Sequence, residues 1–193
     1  MFEFLTQIDQ QLFFAVNKGL SNPFFDWIMP YLRNRYFWAP LYLFLIIFLV
    51  RNYGKWGWIC LISLLITFAV SDFFSASIIK PAVERLRPCN DLSLKDEVNA
   101  RVGCGSGFSF PSTHATNHFA IAMFLVGTFY GRWKWIAPLA FLWAFSIAFA
   151  QVYVGVHFPI DVLSGALLGC MIGYVISSLF LTLKIEKEWS TGS

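Results

Sequence analysis

Three short polar clusters interrupt an otherwise apolar chain: Lys80 with Arg87-Pro88, then Pro111-Ser112-Thr113-His114, then His157 with Asp161. Their residue types meet the needs of a reaction at phosphorus. Lys80 supplies a point charge, and Arg87 a planar fork of donors suited to two phosphate oxygens at once. The stretch from Ser109 to His114 reads as a loop running into a helix, where free backbone N–H groups and the positive dipole end favour an anion. Ser112 and Thr113 add hydroxyl donors. His157 and Asp161 lie four apart around Pro159, so a carboxylate can accept from one ring nitrogen and leave the other free to attack. His114 then stands where it can protonate the departing oxygen, which otherwise leaves as a costly alkoxide.

Such clusters must be carried by a scaffold, and the composition says which kind. Of the 193 residues 58% are hydrophobic and only 13% charged, with 22 Phe and a mean hydropathy of +0.62, far from the range of a soluble domain. The chain is expected to be an all-α integral membrane protein. Without a linker or low-complexity tract it is expected to form a single domain over 1–193. The opening Met1-Phe2-Glu3-Phe4 lacks a basic leader and a small-residue cleavage site, so insertion is expected to rely on internal spans. The net charge of +3 is small, and the cations do not form the aromatic-interleaved stripe that nucleic-acid binding requires.

Five spans are expected within a transmembrane bundle over 36–183, at about 36–53, 57–79, 114–130, 135–155 and 160–183. Lys80-Pro81 ends the second, residues 81–113 form a polar loop, and His157-Phe158-Pro159 makes the corner before the fifth. In the N-terminal portion, 1–35, segments 2–17 and 23–32 are too short to cross; Phe4, Leu5, Ile8, Leu12, Phe13 and Val16 recur at helical spacing opposite Glu3, Gln7, Asp9 and Gln10. That pattern reads as interfacial helices, with a re-entrant pair as the alternative. Arg51, Lys55, Arg132, Lys134, Lys184 and Lys187 sit in short connections and should be cytoplasmic, as should the tail 184–193. Arg33 and Arg35 weigh against this orientation. With it, the loop 81–113, the start of the third span and the His157 corner all share the extracytoplasmic face, and the three clusters can meet.

The order and spacing of these residues resembles the type 2 phosphatidic acid phosphatase superfamily, membrane relatives of vanadium haloperoxidases and glucose-6-phosphatase, in a bacterial member. Lys80 through Arg87-Pro88 matches the first family motif in full. Pro111-Ser112-Thr113-His114 matches the second with Thr in place of Gly. In the third, from Ala150-Gln151 to Asp161, His157 and Asp161 match but the usual Ser-Arg pair is absent. The resemblance implies a bundle of about five transmembrane helices and a metal-independent phosphatase without a cofactor. His157 would form a phosphohistidine, Asp161 would position it, His114 would act as acid and then base, and Lys80, Arg87, Ser112 and Thr113 would hold the phosphoryl group. Gln151 occupies the place of a phosphate-binding Arg, so its amide donates without charge; Arg85 or Arg101 leaning in is one compensation. The substrate would be a lipid phosphate reached from the bilayer: undecaprenyl diphosphate, phosphatidylglycerol phosphate, phosphatidic acid or a lipid A phosphate. A bacterial inner membrane with the site facing the periplasm follows from the same reading, which leaves the oligomeric state open.

Blander readings stand beside these. A Lys or Arg near a span end is ordinarily a snorkelling residue, and a His at a helix start an ordinary capping or packing group. His114 and His118, one turn apart, invite a metal, but no HExxH glutamate accompanies them, so Asn117 and His118 are expected to make polar contacts inside the bundle. Asp72 reads as a hydrogen-bonded buried acid or a proton relay. Cys60 and Cys170 read as apolar fillers. Cys89 and Cys104 fall in the extracytoplasmic loop, where a disulfide can persist, against the alternative of two free thiols. The rival function is a lipid-phosphate binder or transporter that kept the anion pocket and lost turnover.

Overall fold

The computed structural model describes residues 2–185, and the expected cytoplasmic tail lies, beyond its first two residues, outside them. Helix α1 spans Phe2–Asn17, α2 Pro23–Leu32 and α3 Ala39–Asp72. The helical path continues as a π-helix over Phe73–Ile79 into α4, Lys80–Val83; α5 covers Thr113–Phe129, α6 Ile136–Tyr153 and α7 Pro159–Ile185. Among the described residues no strand forms.

α3 is not one straight rod. Gly54 adopts φ 51° and ψ −125°, a conformation a side chain resists, and the chain doubles back there. Gly57 then lies so close to the Leu49 carbonyl that a Cβ on it would come within 2.1 Å of that oxygen. Ala39–Val83, Ile136–Tyr153 and Pro159–Leu183 are long and apolar enough to cross a membrane, and the first of these is divided by the reversal into two arms. Leu43, Phe44, Ile62, Leu65, Leu163 and Leu167 stay exposed, as they must where the solvent is hydrocarbon.

α5 and α7 form the tightest helix pair. Gly165, Gly169 and Gly173 recur every four residues along α7, and a Cβ on each would lie 2.6 Å from the Ser112 carbonyl oxygen, 2.3 Å from that of Thr116 and 2.2 Å from that of Ala120, respectively. Small residues on both sides let two backbones approach where lipid gives no hydrophobic drive to associate. Numbers rise together along the two helices, so they run parallel. Both therefore begin at the same end of the bundle, where Ser112 N–H donates to the Asp161 carbonyl at 2.9 Å.

The N-terminal helices cap that end. Phe4, Leu5, Ile8 and Leu12 face outward, while Asp9 and Asn17 are buried. Asn17 Nδ2 donates to the Tyr153 carbonyl at 2.8 Å and to that of Asn99 at 3.0 Å. Phe13 packs on Phe158, and Phe25 and Met29 of α2 pack around Tyr153, Val154 and Val156. Exposed apolar side chains beside the exposed Glu3 and Gln7 suit a helix lying in a membrane interface, while Asp9 and Asn17 tie it to the bundle.

Candidate active site

Each cluster is delivered by the end of a helix. Lys80 closes the second arm of α3, and its Nζ donates to the Phe108 and Ser109 carbonyls. The backbone leaves this helix at Glu84, φ 54°, and Ser109 N–H then ties the returning loop to the Arg85 carbonyl at 2.7 Å. Arg87 donates from Nε to the Gly107 carbonyl and from Nη1 to the Cys104 carbonyl, each at 2.8 Å. Gly105 and Gly107 lie along the guanidinium, where a Cβ on either would meet it only in ordinary contact at 3.6 and 3.7 Å. A disulfide joins Cys89 to Cys104 and so closes the loop that holds this cation.

Ser112 is the N-cap of α5, its Oγ accepting from Ala115 N–H at 3.5 Å. Thr113 and His114 follow as the first two helical residues. His157 is almost fully buried, with Nδ1 3.6 Å from Asp161 Oδ2, just beyond hydrogen-bond length. Nε2 is the nitrogen turned away from the carboxylate. Burial pulls the His157 imidazole down to about 4; Asp161 opposes the fall, while the Lys80 and Arg87 charges push the same way. Four sequence-nominated groups, Lys80, Arg87, His157 and Asp161, thus act on one another, and an imidazole that stays neutral is one that can attack.

Sequence reasoning missed what holds Asp161. Arg85 Nη1 donates to Asp161 Oδ1 and Nη2 to Asp9 Oδ2, both at 2.6 Å, with the guanidinium 4.1 Å from the Phe158 ring centre. Phe158 N–H donates to Asp161 Oδ2 at 2.8 Å, and Ile160 N–H to Asp9 Oδ1 at 2.9 Å. Arg85 is therefore committed to two carboxylates behind His157, and it does not supply the cation that Gln151 lacks. Neither does Arg101, which is spent on Asp26, Ser21 and the Asn17 and Tyr153 carbonyls. Both expectations of compensation are corrected: these guanidiniums meet acids and carbonyls closer than any open space.

Gln151 is fully buried, and neither of its amide atoms has a hydrogen-bond partner. The Thr113 hydroxyl and His157 Nδ1 share that condition. His157 Nδ1 faces Asp161, whereas an unpaired buried polar atom costs about 1–3 kcal/mol, a cost that a polar ligand meeting Gln151 and Thr113 would relieve. His118 is different: Nδ1 donates to the His114 carbonyl at 2.7 Å and Nε2 faces the Tyr42 hydroxyl at 3.4 Å, which commits both nitrogens to the bundle. Asn117 joins Asp72 at 3.0 Å to Ser71 at 2.7 Å, making Asp72 a hydrogen-bonded acid. Arg33 and Arg35, which sequence weighed only for topology, line a pocket of about 380 Å³ with Pro30, Asn34, Val102 and His114.

Known proteins share this chain's sequence and fold. A Bacteroides thetaiotaomicron protein named lipid A 4'-phosphatase is 37% identical over 195 residues, covering 97% of this chain and 84% of its own length. An undecaprenyl-diphosphatase of Sulfolobus acidocaldarius is 30% identical over 156 residues, covering 80% of this chain and 68% of its own. The crystal structure of a transmembrane PAP2 type phosphatidylglycerolphosphate phosphatase from Bacillus subtilis superposes with a TM-score of 0.71 at 25% identity, covering 96% of this chain and 89% of that one. These relatives are named as enzymes, which does not favour the non-catalytic binder. Residues 55–185 match the family model of the PAP2 superfamily, a stretch that holds all three polar clusters and most of the bundle. By that match and these relatives, the chain belongs to the PAP2 superfamily and is a membrane-embedded lipid phosphatase.

Proposed function

We propose that this protein hydrolyses an envelope lipid phosphate by way of a phosphohistidine, without a metal ion. His157 Nε2 attacks phosphorus while the bond to the lipid oxygen breaks, and His114 gives that oxygen its proton. Water then attacks the phosphohistidine, His114 takes the water's proton, the P–N bond breaks and inorganic phosphate leaves. Lys80, Arg87, Ser112, Thr113 and Gln151 hold the phosphoryl oxygens, aided by the positive ends of α5 and α7. Asp161 steadies the imidazolium character that His157 gains. The single domain sits in a bacterial inner membrane with this end facing the periplasm, where the Cys89–Cys104 disulfide suits an oxidising compartment.

The observation that carries the reading is the buried His157–Asp161 pair under the charges of Lys80 and Arg87. The relative named lipid A 4'-phosphatase makes a lipid A 4'-phosphate the first substrate to try, followed by undecaprenyl diphosphate, phosphatidylglycerol phosphate and phosphatidic acid. Phosphate release from this panel by wild type, His157→Ala and His114→Ala, with and without EDTA, tests it. Release by wild type that survives EDTA and is lost in both variants is expected; abolition by chelation contradicts the metal-free mechanism.

A further inference from the structure

The pocket beside His114 is lined by Arg33 and Arg35 rather than by the residues assigned to the reacting phosphoryl group, and it has room for an anion of its own. Its volume is about 380 Å³, whereas four oxygens at a water's share of roughly 30 Å³ each take on the order of 100 Å³. Arg33 ends α2 and is half-buried, while Arg35 lies exposed in the turn toward α3. Among the described residues neither has a carboxylate partner. Burial, with the Arg87 charge behind it, pulls Arg33 below its usual value. Cations are thus gathered around one space with no acid of the protein to neutralise them, an arrangement that an anion between them relieves.

The side of the reaction on which this space lies follows from His114. In the mechanism above, His114 faces the departing oxygen, and it shares this pocket with the two arginines, whereas His157 is not among the lining residues. An anion held by Arg33 and Arg35 therefore belongs to the leaving group. We propose that Arg33 and Arg35, with the Asn34 amide between them, form a second anion subsite on the leaving-group side of His114. Its ligand is a second phosphoryl group of the substrate: the inner phosphate of a lipid diphosphate, or the other phosphate of a doubly phosphorylated glycolipid. This rests on the roles given to His114 and His157. When the P–O bond breaks, its electron pair goes to the leaving oxygen, His114 supplies the proton, and the retained phosphate stays on the arginines.

The test compares kcat/KM of the full chain in detergent micelles for farnesyl diphosphate against farnesyl monophosphate, and for a bisphosphorylated glycolipid against its monophosphorylated form. Arg33→Gln/Arg35→Gln should lower the preference for the doubly phosphorylated member at least about tenfold, the effect of losing one charge-assisted contact. Arg33→Lys/Arg35→Lys should retain most of it. Loss confined to the diphosphate pair identifies an adjacent phosphate; loss confined to the glycolipid pair identifies a distant one. Equal losses on singly and doubly phosphorylated members, or no change in either preference, overturn the subsite. A binding arm is independent of turnover: inorganic pyrophosphate should raise Tm of wild type more than phosphate does, and this excess should vanish in the double Gln variant. Wild type inert on every lipid sinks the hydrolytic reading alone, since the pyrophosphate arm still decides the subsite. Arg35→Gln, at an exposed position, repeats the measurement should the double variant fold poorly.

Discussion

Placing one methyl group between α5 and α7, by Gly169→Ala, asks whether the spacing of those helices sets the chemistry. The new Cβ would stand 2.3 Å from the Thr116 carbonyl oxygen, 2.9 Å from Ala120 N and 3.1 Å from Phe119 Cβ, and two of these atoms are backbone that cannot swing aside. Ordinary contact begins at 3.4 Å, so the helices must part by about 1 Å. Overpacking of this kind costs about 1–3 kcal/mol of stability. The larger effect falls on catalysis, because the same separation pulls Ser112 from Asp161, now joined at 2.9 Å, and with them His114 from His157. A misplacement of about 1 Å costs on the order of 100-fold in rate, or about 2.7 kcal/mol of transition-state stabilisation. Phosphate release in micelles should therefore show kcat falling by about two orders of magnitude, with Tm lowered but folding intact. Gly131→Ala, at an exposed turn glycine whose Cβ would meet nothing within 4 Å, is the control. A Gly169→Ala enzyme that keeps wild-type kcat would refute the claim that close helix approach aligns the two histidines.

Arg85→Met should be severe, since it strips the shared cation from Asp9 and Asp161; breaking a buried pair costs about 3–5 kcal/mol, and pairing it with Asp9→Asn should recover part of the Tm and part of the activity. For pH, the folded His157 value of about 4 lies below its ordinary 6.5, so the unfolded chain binds the proton first and stability falls as pH drops below 6.5. The contribution is about 2 kcal/mol between pH 7 and 5; denaturation of wild type against His157→Asn at the two pH values should show it, and parallel curves would contradict it. Cys104→Ser should lower Tm through a loss of about 3 kcal/mol and raise KM by freeing Arg87, with reductant reproducing both effects in wild type.

The groups that sequence exposed most directly are those whose partners lie close in the chain. His157, in the corner just before α7, and Asp161 in its first turn, like Ser112 and His114 at the start of α5, are held by the start of one helix, so their spacing carries their geometry. Arg85 was visible but misassigned, because a guanidinium suits phosphate and carboxylate alike and only the fold shows that Asp9, 76 residues away, reaches it first. Sequence places Asp9 opposite the apolar row of its helix and names no partner for it. Helical periodicity gives two faces without saying which residues pack, and in α1 Phe4, Leu5, Ile8 and Leu12 are exposed while Asp9 and Phe13 are buried. The four-residue recurrence of Gly165, Gly169 and Gly173 was legible in principle, yet nothing local says which helix it admits. Arg33 and Arg35 were counted toward topology alone because the α2–α3 turn is distant in sequence from every motif.

The anchoring of Arg87 reaches beyond the geometry of one pocket. Its Nη1 is gripped by the carbonyl of Cys104, and Cys104 is covalently fastened to Cys89, two positions past Arg87 itself. Such a fastening persists only in oxidising surroundings. A freshly made chain whose polar segment still lies on the reducing side has its imidazoles and Lys80, but its second clamp hangs on an open strand. In the proposed orientation, completion of the clamp waits on arrival at the periplasmic face, which would make translocation the last step of assembling the catalyst.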